Sequence, residues 1–112
     1  MKTYTKQIWK MIREWHDIAY QRELNAELSK LYDQFYQWKI GKMDAFDLSQ
    51  AIHKFHDETA RQLYSAYVMS RHNEDSLLVA AVARGFISEE ELPTELVEAL
   101  KPKLSLFDKQ DV

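Results

Sequence analysis

The sequence predicts an all-α fold: a long antiparallel helical hairpin with two or three shorter C-terminal helices, packed like a helical bundle. Apolar residues recur every three or four positions over most of the chain, which is the spacing of one helix face. The 112 residues include two glycines and two prolines, too few for the many turns of an all-β domain. Hydrophobic residues make up 46% of the chain, which argues against disorder. We expect a single helical domain over residues 1–112.

The first predicted helix covers about residues 5–39 and carries two apolar stripes that are out of phase. The first stripe is Ile8, Met11, Ile12, Trp15 and Ala19, and the second is Leu24, Leu28, Leu31, Phe35 and Trp38. Either the helix kinks between residues 21 and 25, or its two halves face different partners. Because no glycine or proline lies there, we expect one continuous helix that changes partner.

A tight turn should join this helix to a second one over residues 44–71. Gly41 suits the left-handed position that ends a helix, and Asp44 can cap the next helix through the backbone N–H of Asp47. So short a connection makes the two helices antiparallel neighbours. The apolar face of the second helix is predicted from Leu48, Ile52, Phe55, Leu63 and Tyr67.

The remaining residues predict short helices separated by clear stop signals. Asn73 can cap a helix that is apolar nearly all round and ends at Gly85, and Ser88 with Glu91 has the spacing of a capping box. Thr94 is expected to cap a last short helix over residues 95–101, which Pro102 should end.

Composition excludes several kinds of site. The chain has no cysteine, which removes disulfides, zinc–thiolate sites and cysteine nucleophiles. It shows neither a signal peptide nor a run of roughly 20 apolar residues that could span a membrane. We therefore expect a cytoplasmic protein without membrane contact.

The formal charge of −3 is unevenly distributed. Residues 1–42 hold eight basic and five acidic residues, a charge of +3, and residues 43–112 hold seven and thirteen, a charge of −6. The basic residues alternate with acidic ones and form no dense patch. Nucleic-acid binding is therefore not expected.

One hypothesis for a site is a transition metal held by a histidine and carboxylate face. His53 and His56 are one helical turn apart, Asp57 follows, and Glu23 and Glu27 lie four residues apart on the first helix. Facing antiparallel helices with such side chains can build a metal site. The Glu-x-x-His spacing of di-metal bundles is missing, however, so the alternative is ordinary solvated helix surface. No catalytic or other cofactor motif is found, and an enzyme is not favoured.

The aromatic residues suggest an interface instead. Trp15, Phe35, Phe55 and Tyr67 fit a core, whereas four tyrosines lie off the main stripes: Tyr20, Tyr32, Tyr36 and Tyr64. A two-helix hairpin cannot bury residues on so many faces, and tyrosine is favoured at protein interfaces. The sequence thus predicts a helical protein that works through protein–protein contacts as an adaptor or regulatory subunit, and that forms a homodimer. A metal-binding bundle and a small enzyme or ligand-binding protein are the alternatives.

Overall fold

The computed structural model describes residues 4–69 and 73–110, with side chains as far as Leu106. The part of the chain that it describes is helical without strands, and the all-α prediction is confirmed. The helices are α1 (Lys6–Lys39), α2 (Ala45–Lys54), α3 (Arg61–Tyr64), α4 (Glu74–Ala83) and α5 (Thr94–Gln110), and a 3₁₀ turn (Glu89–Glu91) precedes α5.

The first helix is one continuous rod, as predicted. Thr5 caps it, because its side-chain oxygen accepts a hydrogen bond from the backbone N–H of Ile8 at 3.1 Å. No kink divides it, because no residue between 21 and 25 removes a backbone hydrogen bond. Its buried residues, Ile12, His16 and Ala19, all lie in the N-terminal half.

The two glycines end helices in the same way. Gly41 and Gly85 have φ angles of 82° and 87°, which side chains with a Cβ rarely adopt. After Gly41, the N–H of Lys42 donates to the carbonyl of Gln37 at 2.8 Å, and after Gly85 the N–H of Phe86 donates to Ala81 at 2.9 Å. Each of these two hydrogen bonds joins an N–H to the carbonyl five residues earlier, which is the bond that defines a Schellman motif.

The second arm of the hairpin, residues 45–69, runs antiparallel to α1. Asp44 caps it as predicted, with the N–H of Asp47 donating to the Asp44 carboxylate at 2.7 Å. The predicted regular helix is wrong in one respect, because π-helical segments Phe55–Ala60 and Ser65–Met69 flank α3. π-helical turns occur as local insertions within α-helices. The predicted end at Arg71 lies outside the described residues.

Helices α4 and α5 pack against the N-terminal half of α1 and form the core with it. Leu78, Val79 and Ala81 of α4 are fully buried, in agreement with a helix that is apolar nearly all round. Ser88 and Glu91 form the predicted capping box. Ile87 and Leu92 flank it and are buried in the same core.

The expectation that Pro102 ends the last helix is wrong. Helix α5 continues to Gln110 with Pro102 inside it. A proline inside a helix costs about 3 kcal/mol, but Leu104 beyond it is buried, and burying a leucine stabilises by about 1.5–3 kcal/mol. Lys103 adds an ion pair with Asp75 at 3.7 Å. Tertiary contacts therefore offset the cost of the proline.

The molecule has two unlike ends. It measures 54 × 28 × 23 Å, and the core cluster lies where α4 and α5 cover the hairpin. We call residues 24–60 the hairpin end: the C-terminal part of α1, the turn, and the first part of the second arm. Leu48 is the one buried residue between 24 and 60. The described helices offer none that is long and apolar enough to cross a membrane.

Candidate functional site

The hairpin end exposes most of the large apolar side chains on the described surface. Eleven such residues are exposed in the described part of the chain, and eight of them lie in the hairpin end: Leu28, Tyr32, Phe35, Tyr36, Trp38, Ile40, Phe46 and Ile52. Tyr32 is 69% exposed and Phe46 is 84% exposed. Concentrations of exposed large apolar side chains often mark sites of protein–protein contact.

Four of these residues form a strip along one face of α1. Leu28, Tyr32, Phe35 and Tyr36 stand at positions i, i+4, i+7 and i+8, which places them on the same side of the helix. Phe35 was expected in the core, and that expectation is wrong, because 39% of its surface is exposed. The cleft between α1 and the second arm is lined by Glu27, Lys30, Leu31 and Gln34 of α1, and none of these residues belongs to the strip.

The same face of α1 is polar in the N-terminal half. Counting back from Leu28 in steps of three and four gives Leu24 and then Gln21, Asp17, Glu14 and Lys10. The last four are all exposed. One helix face thus changes from charged and polar to apolar near Leu24. Contact with solvent accounts for the polar residues in the N-terminal half of this face, but it does not account for the exposed apolar residues in the C-terminal half.

The four predicted interface tyrosines divide into two groups. Tyr32, Tyr36 and Tyr64 are exposed. Tyr20 is half-buried and stacks on Tyr67 with ring centroids 5.0 Å apart and planes inclined by 11°. Packing within the chain accounts for Tyr20, whereas 69% of the surface of Tyr32 is exposed. An interface role for these residues stays a prediction.

The five candidate metal ligands are not gathered into one group. Glu23 and Glu27 line one shallow cleft with Thr59 and Gln62, and His53 and Asp57 line another. His56 is exposed. Across residues 4–69 and 73–110, no set of three histidine, aspartate or glutamate side chains is placed to hold a metal ion.

Two of these candidate ligands are engaged elsewhere. The carboxylate of Glu23 accepts two hydrogen bonds from Arg84, both at 2.9 Å, and one from the Tyr67 hydroxyl at 2.7 Å. Glu27 pairs with Lys30 at 2.9 Å. A bidentate arginine neutralises the Glu23 charge that a metal would need.

The Glu23–Tyr67–Arg84 network joins α1, the second arm and α4, and sequence reasoning missed it. Burial, together with donation to Glu23, raises the pKa of the Tyr67 hydroxyl to about 12. The hydrogen bonds to Glu23 raise the pKa of Arg84. The three residues are far apart in the sequence, so no local pattern could have connected them.

His16 makes a second contact that the sequence pattern did not predict. It is buried, and its Nε2 donates to the carbonyl oxygen of Tyr67 at 2.8 Å. Its Nδ1 lies 3.0 Å from a carboxylate oxygen of Asp17. His16 therefore satisfies a backbone carbonyl of the π-helical segment Ser65–Met69 and fixes the second arm to α1.

A second arginine pair holds the turn before α5. Arg22 donates to both carboxylate oxygens of Glu91, at 3.0 and 2.7 Å, and to the carbonyl of Phe86 at 3.0 Å. These bonds, and the one from the backbone of Ser88, lower the pKa of Glu91 to about 2. The polar contacts of His16, Glu23 and Arg22 thus hold α1 to the second arm, to α4 and to the turn before α5.

No protein family, curated protein or solved structure matches this chain.

Proposed function

We propose that this is a small helical protein that acts through protein–protein contacts, as an adaptor or regulatory subunit that also self-associates. The contact surface is the hairpin end. The proposal includes the cytoplasmic location expected from the sequence.

The change in polarity along one face of α1 is the observation that carries this proposal. Gln21 and Asp17 are exposed and polar, as a solvated helix face requires. Leu28, Tyr32 and Phe35 continue the same face and are exposed but apolar. Burying apolar surface stabilises an association by about 25 cal/mol per Å² before its costs are subtracted. A protein partner on the hairpin end supplies that burial.

The composition of the surface also suits a protein partner. Tyrosine, tryptophan and phenylalanine are enriched at the centres of protein interfaces, and lysine and glutamate are depleted there. The strip on α1 holds two tyrosines and a phenylalanine, and Trp38 and Phe46 lie on either side of the turn. Tyrosine and tryptophan also dominate interface hot spots.

The test compares two variants that carry added charge on the same helix face. Tyr32→Glu with Phe35→Glu places charge in the apolar strip, and Gln21→Glu places it in the polar half. Each protein is crosslinked in native extract of its source and its complexes are separated by mass. We expect the wild type and Gln21→Glu to form the same complexes and the double variant to lose them. Retention of every complex by a folded double variant would overturn the proposal.

A further inference from the structure

The two arms of the hairpin end carry unlike charges. Residues 24–42 hold three basic and two acidic residues, a formal charge of +1, and residues 43–60 hold one basic and four acidic residues, a charge of −3. The acidic residues of the second arm are Asp44, Asp47, Asp57 and Glu58, all of them exposed. Lys39 and Lys42 lie on the other side of the turn and are also exposed.

The apolar area is large enough for a stable pair of hairpins. A fully buried aromatic side chain contributes about 150–250 Å². The eight large side chains of the hairpin end are between 39% and 84% exposed, so together they offer on the order of 800 Å² per copy. A standard protein interface buries about 800 Å² on each partner. A second hairpin end has the same length and the same apolar content, so it offers a matching apolar area.

From these observations, and on the basis of the proposed function, we infer that the occupant of the hairpin end is the hairpin end of a second copy, with α1 of each copy against the second arm of the other. In a two-fold pair of stacked hairpins, either like arms or unlike arms face each other. Like-arm pairing sets +1 against +1 and −3 against −3, whereas unlike-arm pairing sets +1 against −3 twice. Complementary charge fixes the register of such contacts.

Unlike-arm pairing determines the geometry of the dimer. The two-fold axis runs along the hairpins, both turns lie at the same end, and the four arms form a bundle in which neighbouring helices are antiparallel. Residues at equal distance from the turn then come together across the interface. Gln34 and Ala51 line one cleft within a chain, so Tyr32 lies near the level of Ile52. In the dimer, Tyr32 of one copy faces Ile52 of the other.

Single cysteines test this arrangement directly, because the chain has none of its own. Tyr32→Cys and Ile52→Cys are made in separate full-length chains, at positions exposed in the free molecule. A short thiol-specific crosslinker is added to each chain alone and to an equal mixture. The expected result is a strong crosslink in the mixture and weak crosslinks in each chain alone. Gln21→Cys, on the polar part of the α1 face, is the matched control and should crosslink with neither.

The alternative results overturn different parts of the inference. Strong crosslinks of each chain with itself would show that like arms face each other. A monomeric mass for the wild type by light scattering at high concentration would remove the second copy as the occupant. It would also remove self-association from the proposed function. The extract comparison then tests the rest of that function separately, because loss of complexes by the double variant would show that a different protein binds the hairpin end.

Discussion

At the scale of single residues, a few polar contacts hold together the end of the molecule that α4 and α5 cover, and the one between His16 and the Tyr67 carbonyl is buried. His16 and Tyr67 are the centre of these contacts: the His16 ring meets the Tyr67 ring edge-on at 5.4 Å and also binds its backbone carbonyl. Buried polar groups are costly when they are left without a partner. Removal of one partner therefore tests how strongly the two arms of the hairpin depend on each other.

We expect His16→Phe to lower the free energy of unfolding by about 1–3 kcal/mol, because the carbonyl of Tyr67 loses its side-chain donor in a buried position. His53→Phe is the matched control, since His53 is exposed on a helix, and it should change stability by less than about 0.5 kcal/mol. Urea denaturation of the three proteins measures both values. Equal stabilities for the two variants would contradict the structural role of His16.

The Tyr67 hydroxyl gives a pH-dependent prediction. Its pKa is raised from an ordinary value of 10 to about 12, so the folded state prefers the protonated form. The resulting stabilisation is fully present below pH 10 and is lost as the pH rises through about 12. We expect the stability difference between wild type and Tyr67→Phe to shrink over this range. Denaturation at a series of alkaline pH values measures it, and a difference that stays constant would refute the shift.

At the scale of helices, several local signals predicted the ends correctly, although Asn73 makes no side-chain capping hydrogen bond. Gly41, Asp44, Gly85 and the Ser88–Glu91 box all end or begin helices where the sequence placed them. Caps depend on three or four neighbouring residues, which is the range that a sequence pattern covers. The π-helical segments Phe55–Ala60 and Ser65–Met69 follow no pattern among neighbouring residues, so the sequence could not predict them.

Pro102 is another case in which neighbouring residues did not predict the helix correctly, and here the cause can be tested. Its ring removes one backbone hydrogen bond of α5, but Leu100 and Leu104 are both buried and keep the helix in place. Pro102 itself is exposed, so a smaller residue there disturbs no packing. We expect Pro102→Ala to raise the free energy of unfolding by about 2 kcal/mol. A thermal scan that shows no increase in the midpoint would mean that the helix had already relaxed around the proline.

The candidate site could be predicted only in part. Tyr32 and Tyr36 lie off the apolar stripes of the sequence, and the structure leaves them exposed. Tyr20 lies off the stripes as well, but it stacks on Tyr67, which is 47 positions later in the chain. Phe35 lies on a stripe, yet 39% of its surface stays exposed. Periodicity identifies a helix face, whereas only the fold shows which faces the other helices cover.

At the scale of the whole molecule, the two ends differ in what stabilises them. Helices α4 and α5 close the core at one end, and the hairpin end extends beyond them with Leu48 as its one buried residue. Charge is also divided along the chain, with +3 in residues 1–42 and −6 in the rest. If two hairpin ends cover each other with unlike arms facing, their apolar surfaces are paired, and the arm of charge +1 in each copy faces the arm of charge −3 in the other.

Coupled association and folding make stability depend on protein concentration. If the hairpin ends pair, a hundredfold rise in concentration should raise the thermal midpoint of the wild type by about 5 °C, because dissociation is part of unfolding. Tyr32→Glu with Phe35→Glu should abolish this dependence, and Gln21→Glu on the polar part of the same face should keep it. Calorimetry at two concentrations measures the midpoints. A wild-type midpoint that does not change with concentration would show that the hairpin end is not covered by a second copy.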